Sequence, residues 1–192
     1  IESGKMTLCC TPFSMNELLS AIESMLASGA ERRGITFRVE SNVREESYVG
    51  DNVRLRQVIL NLLSNAFKYT PQGKQIKTVI TETETEVAVT VEDQGIGIAE
   101  DKQKSLFVRF ENLMDKNLFN QSSTGIGLSL VKELVEMHHG HISLHSHPGE
   151  GSRFTIRLPK GKSHFDETTE FILSDQVITD TGQVFQTSQL PL

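Results

Sequence analysis

The sequence lacks any apolar run long enough to span a bilayer, and its first residues do not form a secretory leader. No block of Lys and Arg stands out: 19 basic residues face 25 acidic ones, for a net charge of −6. That balance disfavours a nucleic-acid surface as the main function. Cysteine is scarce. Cys9 and Cys10 are adjacent, and no second pair completes a zinc set. They read as reduced cysteines of a cytoplasmic protein. There are no internal repeats. The chain starts at Ile1 rather than Met, so it is expected to be a piece of a longer protein whose membrane anchor would lie elsewhere.

With 37% hydrophobic and 23% charged residues, the 192-residue chain has enough apolar material for one globular domain with a tail. Residues Met6 to Phe13 read as a short strand stopped by Pro12. Ser14 caps a helix from Met15 to about Ala30. Ile35 to Glu40 alternates as a strand, and Tyr48 to Gly50 forms another. Gln75 to Thr83 and Glu86 to Glu92 are Thr/Val/Ile-rich strands joined by a tight turn. Ala99 to Thr124 has weak periodicity and reads as one short helix plus a mobile loop. Ile126 to His138 is an amphipathic helix, followed by strands Ile142 to Ser146 and Arg153 to Leu158. This order suggests an α+β fold of two layers: one mixed, mostly antiparallel sheet with helices on one face. From Lys162 the composition turns to Ser, Thr, Gln and Asp, as in a linker or peripheral tail.

Three stretches carry chemistry. Asp51 to Thr70, DNVRLRQVILNLLSNAFKYT, has helical period, with Asp51 as N-cap and Pro71 and Gly73 as its end. Asn61, Asn65 and Lys68 share one face with Arg54 and Gln57, while Leu55, Ile59, Leu62 and Ala66 share the other. A carboxamide offers a hard oxygen to Mg²⁺, and a lysine offers a point charge to phosphate. Any amphipathic helix also shows a polar face. The second stretch is Asp93-Gln94-Gly95-Ile96-Gly97-Ile98, directly after a strand. Its glycines let backbone pass close to a flat ligand, and its carboxylate can accept from an exocyclic amine such as adenine's. A plain turn would look the same. The third is Thr124-Gly125-Ile126-Gly127-Leu128, where exposed N–H groups at a helix start suit phosphate.

Taken together, in this order, these stretches resemble the ATP-binding catalytic domain of sensor histidine kinases, of the Bergerat or GHKL fold. NLLSNAFKYTP resembles the family's N box, DQGIGI its first glycine box, and LFVRF its F box. STGIGLSLVKELVEMHHGHISLHSHPGEGSRFTIRLP resembles the second glycine box and closing strands. The resemblance runs from Ile1 to Gly161. Residues 1–6 would end an upstream dimerisation region, 7–161 form the catalytic domain, and 162–192 lead toward a downstream domain.

The resemblance implies ATP and Mg²⁺ as cofactors. Asn65 would ligate Mg²⁺, Asn61 and Lys68 would contact phosphates, and Tyr69 would pack on the nucleotide. Asp93 would bind the adenine amine in a pocket shaped by Gly95, Gly97 and Ile98. Arg109 and Phe110 would edge a lid, with Lys116 inside it. Gly125, Gly127 and Leu128 would cradle phosphates, and Thr155 would support Asp93 through water. Glu111 and Ser123 depart from common family residues in the lid. The implied partners are an upstream dimerisation and phosphoacceptor domain and a response-regulator receiver domain. The parent would be a homodimeric, membrane-anchored sensor with this domain in the cytoplasm, and the LPKGKSHF exit suggests a hybrid sensor. The alternatives are an ATP-hydrolysing clamp of the same fold, or a non-catalytic nucleotide-binding module. The clamps carry a general-base Glu where this chain has Asn61, and a carboxamide cannot take the proton.

None of the six histidines is followed by Asp or Glu, as the acceptor is in the family's largest classes. The acceptor is therefore expected on another domain. His141, His145 and His147 fall on one strand face, which reads as a solvated face rather than a metal set.

Overall fold

The computed structural model describes residues 7–44, 47–108, 127–165, 169–171, 176–178 and 184–186. Arg109, Phe110, Glu111, Lys116, Ser123 and Gly125 lie outside the described residues. The elements run β1 (Cys9–Phe13), α1 (Met15–Arg32), β2 (Thr36–Ser41), β3 (Tyr48–Gly50), α2 (Asn52–Tyr69), β4 (Gln75–Glu82), β5 (Glu86–Asp93), α3 (Glu100–Gln103), α4 (Gly127–Met137), β6 (His141–His147), β7 (Gly151–Pro159), β8 (Glu170–Phe171), β9 (Gln176–Ile178) and β10 (Val184–Gln186). No described helix is long and apolar enough to cross a membrane.

The main sheet has the order β2-β4-β5-β7-β6. β2 and β4 are parallel, and the other neighbours are antiparallel. Alternation sorts its side chains. Ile76, Ile80, Val89, Val91, Phe154, Ile156 and Leu158 are buried together with the apolar faces of α1, α2 and α4. Helices therefore cover one face, as the sequence pattern predicts. The opposite face carries the Arg153–Glu92 ion pair at 2.9 Å.

Two features differ from the sequence expectation. β1 and β3 leave the main sheet and pair with each other, with β8 parallel to β1 on its other side. Pro12 lies inside β1 and not at its end, opposite Val49. The β8 register reaches only Cys9 and Cys10, so the missing proline N–H breaks no ladder there. The second feature is that contacts continue past Gly161. The ring of Phe165 meets His138 at 6.3 Å and His139 at 6.1 Å between centroids.

α2 is the hub. Its cap Asp51 is buried, and the carboxylate accepts the Arg54 N–H and the Cys9 N–H, each at 3.0 Å. The Asp51 N–H donates to His138 Nε2 at 3.1 Å, and His138 Nδ1 lies 2.7 Å from the Leu134 carbonyl. One residue thus ties β1, α2 and the end of α4 together. Leu55, Val58, Ile59, Leu62 and Leu63 are buried beneath it. The helix stops before Pro71 because the pre-proline Thr70 is driven to extended backbone, with φ −91° and ψ 122°.

Candidate nucleotide site

The polar face of α2 brings Asn61, Asn65, Lys68 and Tyr69 to the surface, all half-buried. Asn61 Nδ2 donates to the Gln57 carbonyl at 3.0 Å, which fixes the amide and the direction of its oxygen. That oxygen faces the start of α4: a Cβ placed on Gly127 would sit 3.4 Å from Asn61 Oδ1. The N-terminus of α4 therefore abuts the α2 amide stripe, with Leu128 partly buried beside the core. Lys68 Nζ lies 5.3 Å from the centroid of the Tyr69 ring.

At its other end α2 meets the glycine turn after β5. The Tyr69 carbonyl accepts the Ile96 N–H at 3.3 Å. A Cβ on Gly95 would approach the Tyr69 carbonyl oxygen to 2.6 Å and Asp93 Oδ1 to 2.7 Å, so no larger residue fits. Gly97 has φ +68°, and a Cβ there would strike the His147 carbonyl. The glycine turn is thus wedged between α2 and the β6–β7 hairpin.

Asp93 is 7% exposed. Burial raises its carboxyl above the ordinary carboxylate range, against the lowering effect of the Gly95 and Ser152 backbone N–H groups. The Gly95 N–H donates to Oδ1 at 2.8 Å. A carboxylate this dry is a strong acceptor for any donor that enters.

Thr155 does not stand beside Asp93. It pairs with Thr90 across β5 and β7, and the two hydroxyls lie 3.0 Å apart on the helix-free face of the sheet. The expected support of Asp93 by Thr155 is corrected by parity. The inward residues of β7 are Ser152, Phe154, Ile156 and Leu158, and Ser152 is the register partner of Asp93. Sequence reading also passed over Ser146, whose Oγ accepts the Ile98 N–H at 2.9 Å and lies 3.0 Å from Ser152 Oγ, and Gln103, whose Nε2 donates to the Ile98 carbonyl at 2.8 Å. The signal available for both serines was their phase with the apolar residues of their strands; Gln103 had none.

His141, His145 and His147 are exposed on one face of β6, and no metal-binding cluster of His, Cys, Asp or Glu occurs among the described residues.

The model of the family described as histidine kinase-, DNA gyrase B-, and HSP90-like ATPase matches residues 50–162. The circadian input-output histidine kinase CikA of Synechococcus elongatus is 39% identical over 163 residues, covering 83% of this chain and 22% of that protein. The chain spans about a fifth to a third of the length of the curated relatives it matches first. Among solved structures, the catalytic domain of histidine kinase ThkA superposes with a TM-score of 0.69 at 27% identity, covering 79% of this chain and 97% of that one. ThkA in complex with the response regulator protein TrrA superposes with a TM-score of 0.69 at 26% identity, covering 83% of this chain and 44% of that one.

Proposed function

The chain belongs to the histidine kinase-, DNA gyrase B- and HSP90-like ATPases, as a catalytic domain of the histidine kinase type, and from that premise we propose how it works. It holds Mg-ATP between α2, α4 and the glycine turn, and presents the γ-phosphate to a histidine of a separate dimerisation domain upstream of residue 7. The observation that supports this reading is that α2 meets the start of α4 at Asn61 and the glycine turn after β5 at Tyr69. Asn61, beside Gly127, marks the phosphate end. Tyr69, against the Gly95 turn and Asp93, marks the base end. The two lie about 12 Å apart along the helix axis.

Asp93 accepts the adenine amine, and Gly95 and Gly97 give the base its flat approach. Tyr69 packs on the nucleotide. Asn61, Lys68 and the Gly127–Leu128 helix start take the phosphates, with Gly125, Arg109 and Phe110 assigned to the same site from sequence. Asn65 and its neighbour Asn61 offer hard carboxamide oxygens, a donor set that suits Mg²⁺. Asn65 is the assigned ligand. Bound there, the metal would neutralise charge that develops in phosphoryl transfer. Hydrolysis is disfavoured, since Asn61 stands where the clamp ATPases need a general base. Thr155 is withdrawn from the site.

The receiver of the phosphoryl group is proposed to be a response-regulator domain, in line with the ThkA–TrrA complex. The parent is proposed to be a homodimeric hybrid sensor anchored in the inner membrane, with residues 162–192 leading to its next domain.

The test uses γ-labelled ATP and Mg²⁺. The chain alone should acquire no acid-labile, base-stable phosphate. Joined to upstream dimerisation helices, it should label a histidine there. Stoichiometric label on any of its own six histidines would contradict the assignment.

A further inference from the structure

α1 and α2 end together. Each is followed by a turn into one of the two parallel strands, β2 and β4. The turns are tied to each other: the Gly73 N–H donates to the Gly34 carbonyl at 2.8 Å, and the Thr36 N–H to the Lys74 carbonyl at 3.0 Å. Between the last turns of the two helices lies a groove of about 600 Å³. Its apolar walls are Leu26 and Ala30 of α1 and Leu60 and Phe67 of α2. These side chains belong to the core or pack against it, and Phe37 holds Phe67 edge-on at 5.5 Å between centroids. The walls are therefore set by the fold.

Gly29 opens the groove. It lies inside α1, where glycine is a poorer helix former than any residue but proline. A Cβ there would meet no atom nearer than Arg32 Nη2 at 4.0 Å, so no close approach demands the missing side chain. The charges of the groove have one sign. Arg33, the C-cap of α1, and Lys68, in the last turn of α2, both stand toward the joined end, and no acidic side chain lines the groove. Among the described residues neither cation is paired with a carboxylate.

We propose that this groove binds a medium-chain acyl carboxylate, its chain on Leu26, Ala30, Leu60 and Phe67 and its head toward Arg33 and Lys68. An apolar trough with cations at one end matches an apolar chain with an anion at one end. The volume lies in the range of small-molecule sites, about 300–1,000 Å³. The lining stretch of α1, from Leu26 to Arg33, runs about 10 Å, whereas even a 12-residue partner helix is about 18 Å long. The groove therefore suits a small amphiphile better than a docked helix.

The experiment is a titration of octanoate into the isotope-labelled wild-type chain, followed by amide chemical shifts. It is run without nucleotide, so its outcome does not depend on the phosphate role proposed for Lys68. Saturable shifts confined to residues 26–33 and 60–68 are expected. Gly29→Leu fills the groove with a better helix former and should abolish them. Arg33→Gln should weaken octanoate roughly threefold, the size of one exposed ion pair, and keeps the test if Gly29→Leu fails to fold. Wild type should bind 1-octanol, which has the chain without the charge, more weakly than octanoate by at least that factor. Equal binding of the two probes, or undiminished octanoate binding by Gly29→Leu, would overturn the proposal. So would the absence of saturable shifts, the result if both cations only offset the carbonyl ends of their helices. An acidic amphipathic peptide that moves the same amides where octanoate does not would also overturn it, and would make the groove a protein-docking surface.

Discussion

Burying Asp93 costs the folded protein stability. Its folded-state pKa is raised, chiefly by burial. Its contribution is therefore fully favourable below the ordinary carboxylate pKa and is lost as pH rises through the folded value. At neutral pH the ionised group is a liability. Asp93→Asn should raise the melting temperature of the nucleotide-free chain at pH 7 while weakening ATP more than any other single pocket change, a divergence that paired thermal melts and titrations would reveal. His138 has the opposite sign. It is fully buried, and desolvation lowers its pKa below the ordinary imidazole value of 6.5. Its neutral form accepts from Asp51, and protonation would set two N–H groups against each other. Stability it supplies above pH 6.5 should be lost as pH falls toward the folded value, by at most about 1.4 kcal/mol per pH unit. Melts between pH 7.5 and 5.5 should fall less steeply for His138→Gln than for wild type. Cys10 is pushed up to about 12 by burial and by Asp51, so iodoacetamide at neutral pH should spare it. Asp93 and its glycines were legible in the sequence because motif spacing names them. The contact of Ser146 with Ser152 was not, because it depends on which strand lies beside which.

At the level of elements, α2 was readable from period alone. Its apolar positions, its Asp51 cap and its Pro71 stop are all local signals. The sheet strands were equally visible through alternation, to within a residue or two. What local pattern could not supply was pairing. The separation of β1 and β3 from the main sheet, and the addition of β8, depend on contacts between segments far apart in the chain. Parity of β7 was available, and it assigns Thr155 to the outer face. The cap of α2 carries more than one helix end. Its carboxylate serves both β1 and α2 and its N–H meets α4, so Asp51→Ala should cost about 2 kcal/mol, above a simple exposed cap. Urea unfolding with an unchanged m-value would measure it. On the polar face, Asn65→Ala should lower phosphoryl transfer in a reconstituted kinase more than it lowers nucleotide binding. The adenine end holds the base without the metal, while charge neutralisation matters most in transfer. Equal losses in the two assays would remove Asn65 from the metal role.

Across the whole molecule, one face of a five-stranded sheet supports three helices, and the glycine turn after β5 is wedged between α2 and the β6–β7 hairpin. The resemblance of three short motifs gave this architecture and its family together. The ring contacts beyond Gly161 escaped the sequence reading because a polar, weakly patterned segment looks the same whether or not it docks. The central claim is that the chain binds Mg-ATP through the buried carboxylate at the end of β5. It is tested most directly by titrating ATP with Mg²⁺ into the wild-type chain and Asp93→Asn in a calorimeter. Saturable one-to-one binding by wild type, weakened at least tenfold in Asp93→Asn, is the predicted result. Equal affinity in the two proteins, or no binding by the folded wild-type chain, would contradict it.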